Sequence, residues 1–133
     1  NPGETPIVSA TKFNNGVALY TDYEPTHSPK TITVASNGVG VGSAFYHQKP
    51  YCATGDVNVL TPKFELNPYI ALFITTLIEQ EKHKFSYGRK WGITRMRESK
   101  LKLPVTKTNE PDWSYMEKYI RNTEYAKCIS KID

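Results

Sequence analysis

Within a single stretch of 21 residues, Lys82, Lys84, Arg89, Lys90, Arg95, Arg97, Lys100 and Lys102 stand against one acid, Glu98. Residues 1–81 carry a net charge of −3 and residues 103–133 balance to zero, so this stretch supplies the chain's whole excess of +4. Such a concentration of cations is the footprint of a polyanionic partner. At its centre, Phe85-Ser86-Tyr87-Gly88-Arg89-Lys90-Trp91 combines long cationic side chains, hydroxyl donors and a glycine that lets backbone approach a phosphate. Lys84, Arg89, Lys90 and Arg95 are therefore candidate phosphate ligands. Tyr87 and Trp91 could stack on bases, or could fill the core beneath a solvated basic face; residue type leaves both open.

A second constellation is Lys12, Asn14 and Asn15, with Tyr23, His27, Ser28 and Lys30 following in sequence. Asn can hydrogen-bond adenine twice, and Lys can reach guanine or phosphate. Asn14-Asn15-Gly16 also has the composition of a plain tight turn. His27 and His47 are further candidate groove contacts. The glycines at 38, 40 and 42 lack the Gly-Lys-Ser/Thr ending of a phosphate-binding loop and precede a strand, so they read as a flexible turn.

Evidence for catalysis is thin. His27, His47 and His83 are accompanied by no Ser or Cys nucleophile motif, and Asp22, Asp56 and Glu65 form no recognisable acid pair. The histidines and the two cysteines, Cys52 and Cys128, show no zinc spacing, and two distant thiols suit a reducing cytoplasm better than a disulfide. No catalytic residue, metal or cofactor is expected. No apolar run approaches the ~20 residues of a membrane span. A cytoplasmic protein binding nucleic acid, with no membrane partner, is the expectation. A module whose basic face docks an acidic protein is the alternative.

The elements that must position these residues can be read from patterning. Residues 6–10, 17–22, 31–35, 43–47, 51–53 and 57–60 have strand character, punctuated by Asn15-Gly16, Pro25, Pro29 and Asn37-Gly38. Asn67 can cap a helix, Pro68 suits its first turn, and Ile70, Phe73, Ile74, Leu77 and Ile78 recur at helical spacing to about Glu81. Gly88 and Gly92 break the basic stretch into loop, with a short helical turn at 93–99. Residues 101–105 read as a strand with Leu101, Leu103 and Val105 on one face. A last helix from Pro111 should turn Trp113, Met116, Tyr119 and Ile120 inward. Strands first and helices later predict a single α+β domain over 1–133, with a twisted, mainly antiparallel sheet and a few packed helices. The start at Asn1 suggests a portion of a longer protein.

Several pieces in order resemble one family. They are Pro6-Ile7-Val8-Ser9, Asn14-Asn15-Gly16-Val17, Thr31-Ile32-Thr33-Val34, Ala44-Phe45-Tyr46 and Asp56-Val57-Asn58-Val59-Leu60 in the first half. In the second half they are Asn67-Pro68 with Ala71-Leu72-Phe73-Ile74, Lys84-Phe85-Ser86-Tyr87-Gly88-Arg89, Leu101-Lys102-Leu103-Pro104-Val105 and Pro111-Asp112-Trp113. Together they resemble the target-recognition domain of type I restriction–modification specificity subunits, and equally that of type IIG and BcgI-like enzymes. The resemblance implies the restriction-modification target-recognition fold and a non-catalytic role in reading one half of a split DNA site. It implies that methyltransferase (modification) chemistry, with its S-adenosylmethionine, and nuclease (restriction) chemistry belong to partner subunits or fused domains. No Asn-Pro-Pro-Tyr motif is present, and Asn67-Pro68-Tyr69 is explained as a helix cap. The resemblance also implies that Tyr87-Gly88-Arg89 shapes the domain or grips phosphate, while sequence choice lies in loops 23–30, 46–49 and around Lys90-Trp91.

Overall fold

The computed structural model describes residues 3–38, 40–84, 90–124 and 126. Six short strands come first: β1 (Thr5–Val8), β2 (Val17–Thr21), β3 (Thr31–Ala35), β4 (Ala44–His47), β5 (Cys52–Ala53) and β6 (Val57–Leu60). Three helices follow: α1 (Pro68–Gln80), α2 (Ile93–Glu98) and α3 (Trp113–Arg121). The α+β class holds, but the strands form two three-stranded sheets, in the orders β2-β1-β5 and β4-β3-β6. All pairings are antiparallel except β1 with β5.

β3 is the organising strand. Thr-Ile-Thr-Val-Ala is largely β-branched and alternates, so one face presents Ile32 and Val34 and the other Thr31 and Thr33. All five residues are buried. The apolar face joins Val41, Ala44, Leu66, Ile70, Ala71, Ile74, Ile78 and Trp91 in the core. The hydroxyl face would be costly to bury without partners. Thr31 donates to the Ser28 carbonyl at 3.0 Å, so its 2.6 Å contact with the Tyr51 hydroxyl has tyrosine as donor. Thr33 is paired with His47 Nε2 at 2.8 Å.

α1 begins where its sequence says it should. The Asn67 side-chain oxygen accepts from the Ile70 amide at 2.9 Å, Pro68 occupies the first turn, and the Asn67 amide also donates to Glu117 on α3. Ile70, Ala71, Ile74, Thr75 and Ile78 form its buried face. α3 is capped by Asp112 and buries Met116 and Ile120, while Trp113 stacks on Phe64 at 3.9 Å. Tyr119, expected to face inward, is half exposed and touches Phe73 only edge-on. At 100° per residue it lies to one side of the stripe set by Trp113, Met116 and Ile120.

Residues 101–104 are extended but join no sheet, and Val105 makes only an isolated bridge with Pro111. The backbone there closes on itself, Asp112 N donating to Pro104 O and Thr106 N to Glu110 O. Pro104 cannot donate to a sheet neighbour, and Val105 is exposed.

Candidate nucleic-acid interface

The β3–β4 connection brings three distant segments together. Ser36 O accepts from the Trp91 amide at 2.9 Å, and the Asn58 side chain donates to Trp91 O at the same distance. Gly42 has φ +85°, and a Cβ there would stand 2.4 Å from Cβ of Lys82 and 3.1 Å from its Cα. A Cβ on Gly40 would stand 2.9 Å from Ala10 O and 3.5 Å from Lys12 N. The segment is a turn, as its sequence suggests, but at Gly40 and Gly42 it is also a close-packed junction, whereas Gly38 has open space around it. It sets Lys12, Lys82 and the Lys90–Trp91 segment around one connection. The cue was present in the sequence, since glycine often marks close backbone approach, but what approaches it is not local information.

Trp91 anchors the basic segment from beneath. It is 2 % exposed, and its indole N–H donates to Ser99 Oγ at 2.9 Å, which in turn donates to Arg95 O at 2.7 Å. The indole thus holds the far end of α2 while the Trp91 backbone is fixed to Ser36 and Asn58. Above it, Lys90, Gly92, Ile93, Thr94 and Arg95 line a shallow open hollow of about 310 Å³. Arg95 Nη1 donates to Lys90 O at 3.1 Å, which keeps both cations at the same rim. Among the described residues, Lys90, Arg95, Arg97, Lys100 and Lys102 make no ion pair with an acid. Lys82 and Lys84 do: Lys84 Nζ lies 2.5 Å from Glu81 and Lys82 Nζ 4.0 Å from Glu79. Both are solvent-accessible pairs of the kind that contributes little to stability.

At the opposite end of the β3–β4 ladder sits a polar cluster. Asn14 and Asn15 adopt left-handed φ of 53° and 55°, and Asn15 donates from Nδ2 to Tyr46 O at 3.0 Å. Lys30 is also left-handed, at φ 62°, with its amide on His47 O at 2.7 Å. His27 is half-buried and stacks on Tyr51 at 5.3 Å. A groove of about 860 Å³ runs over β4 here, with Asn14, Asn15, Tyr20, Gln48, Lys49 and Glu79 among its lining. Given a strand rise of ~3.3 Å per residue, this cluster and the Trp91 junction lie about 13 Å apart along β3. Residues 10–16 bridge that distance, touching Gly40 at one end and Tyr46 at the other.

Two candidates are corrected. His47 is 5 % exposed, bonded to Thr33 and 4.5 Å from the Tyr51 ring. Burial pulls its pKa down to about 4, so it is a neutral core residue. Trp91 is likewise interior, an anchor without a face for stacking. Lys12, Asn14, Asn15, Lys30, Lys84, Lys90 and Arg95 are exposed. Tyr87 and Arg89 lie outside the described residues, as does Cys128. Among the described residues no group of three His, Cys, Asp or Glu could hold a metal, and no helix is long and apolar enough to cross a membrane.

The fold agrees with the comparisons to known proteins. The family described as the type I restriction modification DNA specificity domain matches residues 1–131, and the chain belongs to it. It is 32 % identical over 124 residues to the type II restriction enzyme BgcI specificity subunit S.BcgI of Heyndrickxia coagulans, covering 92 % of this chain and 36 % of that protein. The crystal structure of a type I restriction-modification system S subunit from M. genitalium shares the fold. Its TM-score is 0.62 at 19 % identity, over 97 % of this chain and 35 % of that one. The chain thus spans about a third of the length of these relatives.

Proposed function

We propose that this chain is a target-recognition domain that grips duplex DNA and reads one half of a split site, without performing chemistry itself. Methyltransferase and nuclease activities then belong to partner subunits or fused domains, as the resemblance implies. The observation that carries the reading is that the segments bearing Lys12, Lys82 and Lys90 meet at the β3–β4 connection, with Arg95 bonded to the Lys90 carbonyl. Cations held on a buried scaffold, of which Lys90 and Arg95 make no ion pair with an acid among the described residues, are what a phosphate backbone requires.

Within this reading Lys12, Lys90 and Arg95 contact phosphates. Lys84 joins them by exchanging its weak surface pair for a phosphate, and Arg89 and Tyr87 remain contacts proposed on sequence grounds. Asn14, Asn15, His27 and Lys30 face the base edges. Enrichment of duplexes from a random-sequence pool by the protein tests this. A short, defined motif is expected. A pool that remains uniform after repeated rounds contradicts sequence recognition, and failure to retain duplex at low salt favours an acidic protein partner instead.

A further inference from the structure

Phe13 is 64 % exposed, among the most exposed large apolar side chains in the molecule. It sits at the start of three consecutive left-handed residues, Asn14, Asn15 and Gly16, at φ 53°, 55° and 79°. Two adjacent non-glycine residues in that region are strained, and such strain persists only where surrounding structure imposes it. Here it is imposed from several sides. Gly16 N donates to Phe13 O at 2.9 Å, Ser9 N donates to Gly16 O at 2.9 Å, and Asn15 Nδ2 donates to Tyr46 O. Gly16 itself is buried, and a Cβ there would meet Phe45 at 3.0 Å and Val8 at 3.2 Å. The Phe13 amide donates to Thr11 Oγ1 at 3.2 Å. A rigid turn thus holds out an aromatic ring that it could have tucked in.

The surroundings of the ring identify what it meets. Its sequence neighbours Lys12, Asn14 and Asn15 are polar and exposed, and Lys12 Nζ stands 5.4 Å from the ring centroid. A protein-binding hot spot would sit at the centre of a desolvated patch. An exposed apolar side chain flanked in sequence by Lys and Asn is instead the arrangement of minor-groove wedges. There, Asn and Lys read the groove while the apolar group slides between base pairs and opens the step.

We propose that Phe13 is such a wedge: the 12–15 turn enters the minor groove, and the Phe13 ring inserts at a base step within the recognised half-site. The proposal rests on the DNA reading above. Lys12, beside the ring, pairs with the phosphate flanking the opened step, and the rigid turn transmits the push to the core through Gly16 and Phe45.

The test uses the duplex enriched by the intact protein, substituted with 2-aminopurine at successive positions and probed in parallel with permanganate at thymines. The intact protein should raise fluorescence and thymine reactivity at one step. Phe13→Ala should abolish both and weaken binding about tenfold, in line with the cost of losing one stacked aromatic. Its thermal stability and salt dependence should stay unchanged, because the side chain is exposed and uncharged. Phe13→Leu, still an apolar wedge, should restore the signal. If the intact protein binds without unstacking any step, or Phe13→Ala retains the full signal, the wedge is overturned while the DNA reading stands. If the intact protein binds no duplex at low salt, both fall.

Discussion

His47 shows how a residue named for its reactivity can be occupied by its own fold. Its Nε2 is engaged by Thr33, its ring lies against Tyr51, and the backbone of Lys30 is bonded to its carbonyl. Burial lowers its pKa from 6.5 to about 4. The unfolded chain therefore takes up a proton below pH 6.5 that the folded chain refuses until about pH 4. Stability is full above that window and falls as pH drops through it, by up to about 3 kcal/mol at its lower edge. Urea titrations between pH 4 and 8 should show this loss, and His47→Gln should remove it while leaving the contribution of the carboxylates. Parallel curves for the two proteins would contradict the buried, neutral assignment. Asn67 supports a second prediction at this scale. Asn67→Ala removes the α1 cap and the contact with Glu117, and should cost about 1 kcal/mol in the same assay.

Among the elements, the β3–β4 connection has the largest consequences because it is where separate segments meet. Gly42→Ala places a Cβ against Lys82 at a left-handed φ, and should destabilise the fold by about 1–3 kcal/mol. It should also weaken DNA binding by displacing the basic segment. Gly55→Ala is the control, since nothing lies within 4 Å of its Cβ position, and it should leave melting temperature and DNA binding unchanged. Comparable losses in the two variants would show that the connection has no special role. Local chemistry made much of this level legible. β3 follows from a run of β-branched residues, β6 from two valines at alternate positions, and α1 from an Asn-Pro cap with helical spacing behind it. Pairing was less legible, because it is decided between distant segments. β1 pairs with β2 and β5 in a sheet of its own, and residues 101–104 have no strand to join. For the same reason His47 reads in sequence as an available side chain, and Trp91 as either a contact or a core residue, until packing places both inside.

At the scale of the whole molecule, a single cationic run in sequence is divided by the fold. Lys82 and Lys84 share their charge with Glu79 and Glu81, whereas Lys90 and Arg95, among the described residues, make no ion pair with an acid. The backbone of Lys12, some 80 residues earlier in the chain, packs against Gly40 in the β3–β4 connection. The proposed function requires these cations to form one surface for the phosphate backbone. Its most direct test is the salt dependence of duplex binding, followed by fluorescence anisotropy for the intact protein, Lys90→Gln and Arg95→Gln. Affinity should fall steeply with salt, and each substitution should reduce the logarithmic slope by about one while weakening all duplex sequences alike. Binding that is indifferent to salt, or slopes that neither substitution changes, would contradict the claim.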